Sequence, residues 1–151
     1  MKRTTWVVVA DEAIARILER PRNGADLVPV EELTDPAAHA KESELHRGPH
    51  GRRAGGGGSN PQATVSAGDS ERHRRAHLFA ARIAQRLAEG HRTKRFDELH
   101  LLAAPRLLGC LRGELDANVA AAVVGTLDKD VMKESNAKLT RRVFGSQTAT
   151  S

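Results

Sequence analysis

Aromatic side chains are scarce in this sequence: its 151 residues include three Phe, one Trp and no Tyr. The core must therefore be built from Val, Leu, Ile and Ala, and a hydrophobic content of 39% with 28% charged residues suits a soluble α/β protein. Long apolar runs are missing too: none approaches the roughly 18 residues of a membrane span, and Trp6–Ala10 is too short for the apolar core of a signal peptide. We therefore expect a cytoplasmic protein that does not contact the membrane.

Residues able to hold a metal or form a disulfide are also few. Cys110 is the only cysteine, so no disulfide can form within the chain, and its place in a predicted helix favours packing over nucleophilic reactivity. Six histidines lie between residues 39 and 91 without the spacing of metal ligands. His73 and His77 are one helical turn apart, but no carboxylate or cysteine partner is evident in the sequence. We predict neither a metal nor another cofactor.

The clearest pattern that is present is a buried strand leading directly into a helix. Leu99, Leu101 and Leu102, followed by Ala103-Ala104, form a short apolar run, typical of a strand covered on both faces. Pro105 stands at the first helical position, and four leucines follow it at helical spacing up to residue 115. The β-rich run Val119–Val124 lies at the right distance to complete a parallel βαβ unit. We expect the other elements to assemble around the Leu99–Ala104 strand.

Three strands joined by short turns precede this unit and predict an antiparallel meander. Pro29 places the third strand at or near an edge of the sheet. The predicted strands are Thr5–Ala10, Ala13–Leu18 and Asp26–Leu33, and the periodicity of the second also allows a helix. Two further helices are predicted, one from a cap at Asp69-Ser70 to about Glu89 with Gly90 as its stop, and one from Ser135 to Phe144.

This order of elements predicts one α/β domain over residues 1–144, with a mixed five-stranded sheet and a disordered tail at 145–151. The layout, three antiparallel strands followed by two parallel ones, is compatible with a ribonuclease-H-like fold. Those enzymes hold two Mg²⁺ ions with carboxylates, but here Val7–Val9 occupy the first strand and Ala103-Ala104 end the fourth. Asp11 is better explained as a turn residue. The sequence therefore disfavours a two-metal nuclease.

A long segment at residues 35–68 separates the meander from the first helix and shows no core periodicity. Its prolines, glycines and arginines are typical of a mobile loop, and loops of this length inside a compact domain are usually functional or disordered. A spacer is favoured over a phosphate cradle for the four-glycine run, because the Gly-Lys-Ser/Thr ending of a P-loop is missing.

Basic charge is concentrated in this loop and the helix that follows. The chain has a net charge of +5, whereas residues 46–95 contain eleven Arg or Lys and three Asp or Glu, a local charge of +8. This distribution indicates a surface that faces a polyanion. The alternative is a solvated rim whose aliphatic stems cover apolar surface. The candidate RNA-binding residues are Arg47, Arg52, Arg53, Gly55, Gly56, Gly57, Gly58, Arg72, Arg74, Arg75, Arg82 and Arg86.

Several segments together resemble the bacterial family of host attachment proteins, described as required for attachment to host cells. The more specific ones are Leu102–Arg112, with the pattern Ala-Ala-Pro-x-x-Leu-Gly-x-Leu-Arg, and the acidic end Leu127–Asp130. The weaker ones are Trp6–Asp11, Ala15–Ile17, Glu32–Pro36, Gly51-Arg52 and Phe79-Ala80. That family is similar to the middle domain of archaeo-eukaryotic peptide-release factors and is grouped as a bacterial branch of them.

The resemblance implies that the long loop corresponds to the release-factor loop bearing Gly-Gly-Gln, which helps water attack the peptidyl-tRNA ester on the ribosome. Here Gln62 follows Gly57-Gly58 only after Ser-Asn-Pro, so it is displaced from the glycines. Three functions stay open. We favour a cytosolic RNA- or ribosome-binding module acting in translation. The others are a peptidyl-tRNA hydrolase with Gln62 orienting water, and an interaction module that affects attachment through a protein partner. The sequence does not indicate the oligomeric state.

Overall fold

Five strands form one mixed sheet in the computed structural model, which describes the backbone of residues 3–35 and 61–150 and the side chains of residues 3–35 and 70–145. The strands are β1 Thr5–Ala10, β2 Ile14–Glu19, β3 Val28–Thr34, β4 Glu98–Ala103 and β5 Val123–Leu127. The helices are α1 Pro61–Arg92, α2 Pro105–Glu114, α3 Ala117–Ala122 and α4 Asn136–Thr150. The predicted α/β class with a mixed five-stranded sheet is confirmed.

The strand order is β3-β2-β1-β4-β5. Strands β1, β2 and β3 pair antiparallel, whereas β4 is parallel to β1 and β5 is parallel to β4. This is the predicted ribonuclease-H-like layout of a meander followed by a parallel pair. Pro29 lies on β3 at an edge of the sheet, where its missing N–H breaks no ladder. The middle strand is β1, however, and the predicted centre β4 is its neighbour.

Strand β1 occupies the middle because all six of its residues are buried. Trp6, Val8 and Ala10 point into one core, and Val7 and Val9 point into the other. A strand rich in β-branched residues, in which polar and apolar side chains do not alternate, needs other elements packed on both of its faces.

Two separate cores provide this cover. On one face, α1, α2 and α3 pack over β1, β2 and β4, and Leu101 shares this core with Phe79, Ile83 and Leu87 of α1, as predicted. On the other face, Leu102 packs in the core that α4 closes. Both leucines are therefore inside the sheet layers, on opposite faces. No helix within residues 3–35 and 61–150 is long and apolar enough to cross a membrane.

Helix α1 is longer than the sequence predicted, at 32 residues. It begins at Pro61, a residue favoured at the first helical position, so the predicted cap at Asp69-Ser70 was wrong. Residues 61–68 of the predicted loop are helical, and residues 36–60 lie outside the described part of the chain. Gly90 does not stop the helix, which continues to Arg92. A Cβ at Gly90 would lie 2.9 Å from the Trp6 ring. Its small size allows close packing instead, and the chain turns at Lys94, with φ +62°.

Two other boundaries differ from the prediction. The run Val119–Val124 was predicted to be a strand, but most of it belongs to α3, because the Asp116 side chain caps that helix by accepting the Val119 N–H at 2.9 Å. Strand β5 begins only at Val123. Helix α4 extends to Thr150, through residues that were predicted to form the tail.

Replacing Leu101 with Ala should lower the free energy of unfolding by about 2–5 kcal/mol, because the change removes buried surface and leaves a cavity in a core where Leu101 is 1% exposed. Urea denaturation measures the loss. Val124→Ala is the control: this β5 residue is 54% exposed and should change stability by less than about 0.5 kcal/mol. A loss below about 1 kcal/mol for Leu101→Ala would contradict the position of β4.

Candidate functional site

A cleft of about 440 Å³ opens where β1 and β4 end. These two strands are parallel, so their carboxyl ends lie at the same edge of the sheet, the place where open α/β sheets bind ligands. Four carboxylates and two guanidinium groups line the cleft. They belong to Asp11, Glu12, Asp35, Asp130, Arg72 and Arg75.

Local turns position these carboxylates. Asp11 Oδ1 accepts hydrogen bonds from the backbone N–H groups of Ala13 and Ile14, both at 2.8 Å, so its interpretation as a turn residue is confirmed. Asp35 is buried, and its backbone N–H donates to the Ala13 carbonyl at 2.8 Å. Asp130 accepts the Met132 N–H at 3.0 Å. Among the described residues, no three His, Cys, Asp or Glu side chains are grouped so that they could hold a metal ion.

Helix α1 passes along this cleft and continues beyond it. Ala76 lines the cleft with Ala104, whereas Gly90 contacts Trp6 at the opposite end of the sheet. The helix therefore runs antiparallel to β1 and β4. Residues 61–71 precede the cleft-lining part of the helix and extend it by roughly 16 Å, at about 1.5 Å per residue.

The described candidate arginines separate into two groups, of which the first is bound to β3. Arg82 donates to the Thr34 carbonyl at 2.7 Å. Arg86 forms a two-point pair with Glu31, in which Nε lies 3.0 Å from Oε2. The hydrogen bond to Glu31 raises the pKa of Arg86 above its ordinary value. These two guanidinium groups therefore hold the helix against the edge strand.

The second group lies at or before the cleft. Arg72 is exposed, and Arg74 is 67% exposed with its guanidinium 3.6 Å from Glu71. Arg75 is largely buried in the cleft wall, 3.8 Å from the same Glu71 carboxylate. The five arginines thus do not form one continuous surface.

The remaining candidates cannot be placed in this arrangement. The loop residues Arg47, Arg52, Arg53, Gly55, Gly56, Gly57 and Gly58 lie outside the described residues. The backbone of Gln62 lies in the first turn of α1, and its side chain is outside the described set.

A second concave surface, about 390 Å³, lies between α1 and α2. His77 donates to Glu114 across it, with 2.9 Å between Nε2 and Oε2, so the carboxylate partner that the sequence did not reveal comes from the other helix. Cys110 is buried in the core beside this groove, and burial raises the pKa of its thiol. A packing role is therefore the better description of this cysteine.

His100 was not among the candidates, although it alternates with the core leucines of β4. It lines a third cavity, of about 380 Å³, under α4. Its ring meets Phe144 edge-on at 5.4 Å between centroids, and a Cβ on Gly125 would come within 2.8 Å of its Nδ1. Burial lowers the pKa of His100, and the charge of Arg20 adds to this effect, whereas Glu98 opposes it.

The sequence model of a protein family described as "Protein required for attachment to host cells" matches residues 6–143. The match includes every strand of the sheet except the first residue of β1, and it includes the cleft and the groove between α1 and α2. No curated protein matches the chain.

Replacing Arg86 with Ala should lower the free energy of unfolding by no more than about 1 kcal/mol, because its pair with Glu31 is partly exposed to solvent. A double-mutant cycle with Glu31→Ala measures the coupling, and Arg22→Ala in the exposed β2–β3 turn serves as the control. Additive effects of the two single changes would mean that the pair does not hold α1 against β3.

Stability should fall as the pH drops below about 6.5, the ordinary pKa of histidine. The reason is that burial lowers the pKa of His100, so the unfolded chain takes up a proton before the folded chain does. The contribution is fully present above that pH and is lost toward the pKa of the folded state. Urea denaturation at about pH 7.5 and 5.5 measures the change. His100→Gln should reduce the difference between the two pH values, and an unchanged difference would contradict this origin.

Proposed function

Because the chain belongs to the family of proteins required for attachment to host cells, we propose that its molecular activity is RNA binding in translation, with the ribosome as its site of action. The observation that carries this proposal is the first part of α1, which extends past the sheet and presents exposed Arg72 and Arg74. Attachment to host cells is then an indirect result of altered translation. We further propose that the protein acts in the cytoplasm.

Charge supports this proposal. Arg47, Arg52 and Arg53 precede Pro61, the first residue of α1, in the sequence, so these arginines and the exposed ones of α1 come from adjacent parts of the chain. Arginine and lysine contacts to phosphates supply most of the sequence-independent affinity of proteins for nucleic acids. Arg82 and Arg86 contribute to this site only indirectly, by fixing α1 on β3.

We base the choice of the ribosome as the partner on the resemblance to release-factor middle domains that the sequence analysis gives for this family. Hydrolysis of peptidyl-tRNA receives less support, because Gln62 lies in the first turn of α1 and is separated in sequence from Gly58 by Ser59, Asn60 and Pro61.

Replacing both Arg72 and Arg74 with Ala should reduce the salt dependence of RNA binding. Each phosphate contact contributes about 0.7 to 0.9 to the slope of log affinity against log salt concentration, so the double variant should lose about 1–2 units of slope. Fluorescence anisotropy with labelled ribosomal RNA fragments, or co-sedimentation with ribosomes across salt concentrations, measures the slope.

The matched control is Arg82→Ala with Arg86→Ala, which removes the same charge from the same helix. This pair should lower the thermal midpoint of unfolding and leave most of the slope in place, because both side chains contact β3. Absence of salt-dependent binding by the wild type near about 50 mM salt, where phosphate contacts are strongest, would contradict the proposal. A protein partner would then become the leading explanation.

A further inference from the structure

The aromatic side chains of this protein are all inside the fold. Trp6, Phe79 and Phe96 are 1% exposed and Phe144 is 5% exposed, and the chain has no Tyr. Trp6 and Phe96 stack on each other, with 4.7 Å between ring centroids. Proteins that bind single-stranded RNA typically stack its bases on exposed aromatic rings. This chain therefore has no Phe, Tyr or Trp ring on its surface for splayed bases.

The groove between α1 and α2 has side chains that are suited to phosphates, of which the two histidines are exposed and the arginine is partly exposed. His73 and His77 line it from α1, and Arg106 lines it from α2. These side chains are hydrogen-bond donors of the kind that contact phosphate oxygens. Exposed Arg74 follows His73 in α1, so the groove lies next to the basic surface formed by Arg72 and Arg74.

Two glycines line this groove from α2, so no side chains project from the helix at these positions. Gly109 and Gly113 are one helical turn apart, and a Cβ built on either would meet no atom within 4 Å. A polymer backbone can therefore approach α2 closely. Glu114 is the single acidic residue in the lining, and it is held by His77.

We infer that this groove takes the sugar–phosphate backbone of double-stranded RNA. The inference rests on the proposed function and names its substrate class. An A-form duplex keeps its bases stacked inside and displays phosphates and 2′-hydroxyl groups, so it is recognised by shape and charge without base stacking. The groove supplies the donors and the close approach that such recognition requires, on two helices packed against the core.

The test compares RNA binding by the full-length wild type with RNA binding by a full-length variant in which larger side chains block the groove. Gly109→Gln with Gly113→Gln fills the groove with uncharged side chains, and it should not lower the thermal midpoint because glutamine favours a helix interior over glycine. Binding to a 20-base-pair RNA duplex of mixed sequence should weaken about tenfold or more, which corresponds to about 1.4 kcal/mol. Binding to the single strand of the same sequence should change much less, because Arg72 and Arg74 remain.

Two charge variants test the same groove in opposite directions. Arg106→Ala should weaken duplex binding by about fivefold to tenfold near 0.1 M salt and lower the salt slope by about 0.9, as the loss of one phosphate contact does. Glu114→Gln should strengthen duplex binding, because it removes the one negative charge that faces the phosphates. Arg22→Ala, in the turn at the opposite end of the sheet, is the control and should change neither value.

The outcomes distinguish failure of the inference about duplex RNA from failure of the proposed RNA binding. Unchanged duplex binding by the blocked variant, or wild-type binding to the single strand that is as tight as to the duplex, would overturn the inference and leave RNA binding in place. Failure of the wild type to bind either RNA near about 50 mM salt would overturn both.

Discussion

The burial of β1 on both faces is the constraint on which the rest of the structure depends. Six consecutive residues without an exposed side chain cannot form an edge strand or a surface strand, so the sheet needs neighbours on both sides and helices on both faces. The parallel pairing of β1 with β4 places two carboxyl ends together and creates the cleft. Helix α1 must then cross the sheet antiparallel to them. The direction of α1 determines that its exposed arginines lie at the carboxyl ends of β1 and β4.

Much of this fold was predictable from apolar patterning, because β1, β2 and β4 are rich in branched side chains and α2 follows a proline at a strand end. The ends of helices and strands were less predictable where the same residue type is compatible with two different structural roles. Gly90 looks like a helix stop, yet its small size is required by contact with Trp6. Asp116 looks like a loop residue, yet it caps α3 and delays the start of β5. A tertiary contact decided the case of Gly90, and no local pattern contains that information. The Asp116 cap is a local interaction, and Asp at that position is a sequence signal for the start of a helix.

The positive charge of the candidate site was predictable from the sequence. The sequence did not show which arginines are exposed and which ones bind β3. Helical spacing puts Arg82 and Arg86, which are one turn apart, on one side of α1. It could not show that this side faces β3, because Glu31 is 55 residues away from Arg86 in the chain. The pair between His77 and Glu114 was missed for the same reason, since two different helices supply it. Side chains that neutralise a cluster of like charge can come from any part of a fold.

Trp6 also gives the protein an optical property of its own. It is the single tryptophan, no tyrosine emission overlaps with it, and its indole N–H donates to Glu19 at 3.1 Å while its ring stacks on Phe96. Its fluorescence therefore reports the contact between the end of α1 and the start of β1, at the edge of the sheet opposite the cleft. Unfolding of this contact can be followed without an attached dye. The same signal is remote from both the cleft and the groove, so it separates loss of fold from loss of binding in any variant of the basic surface.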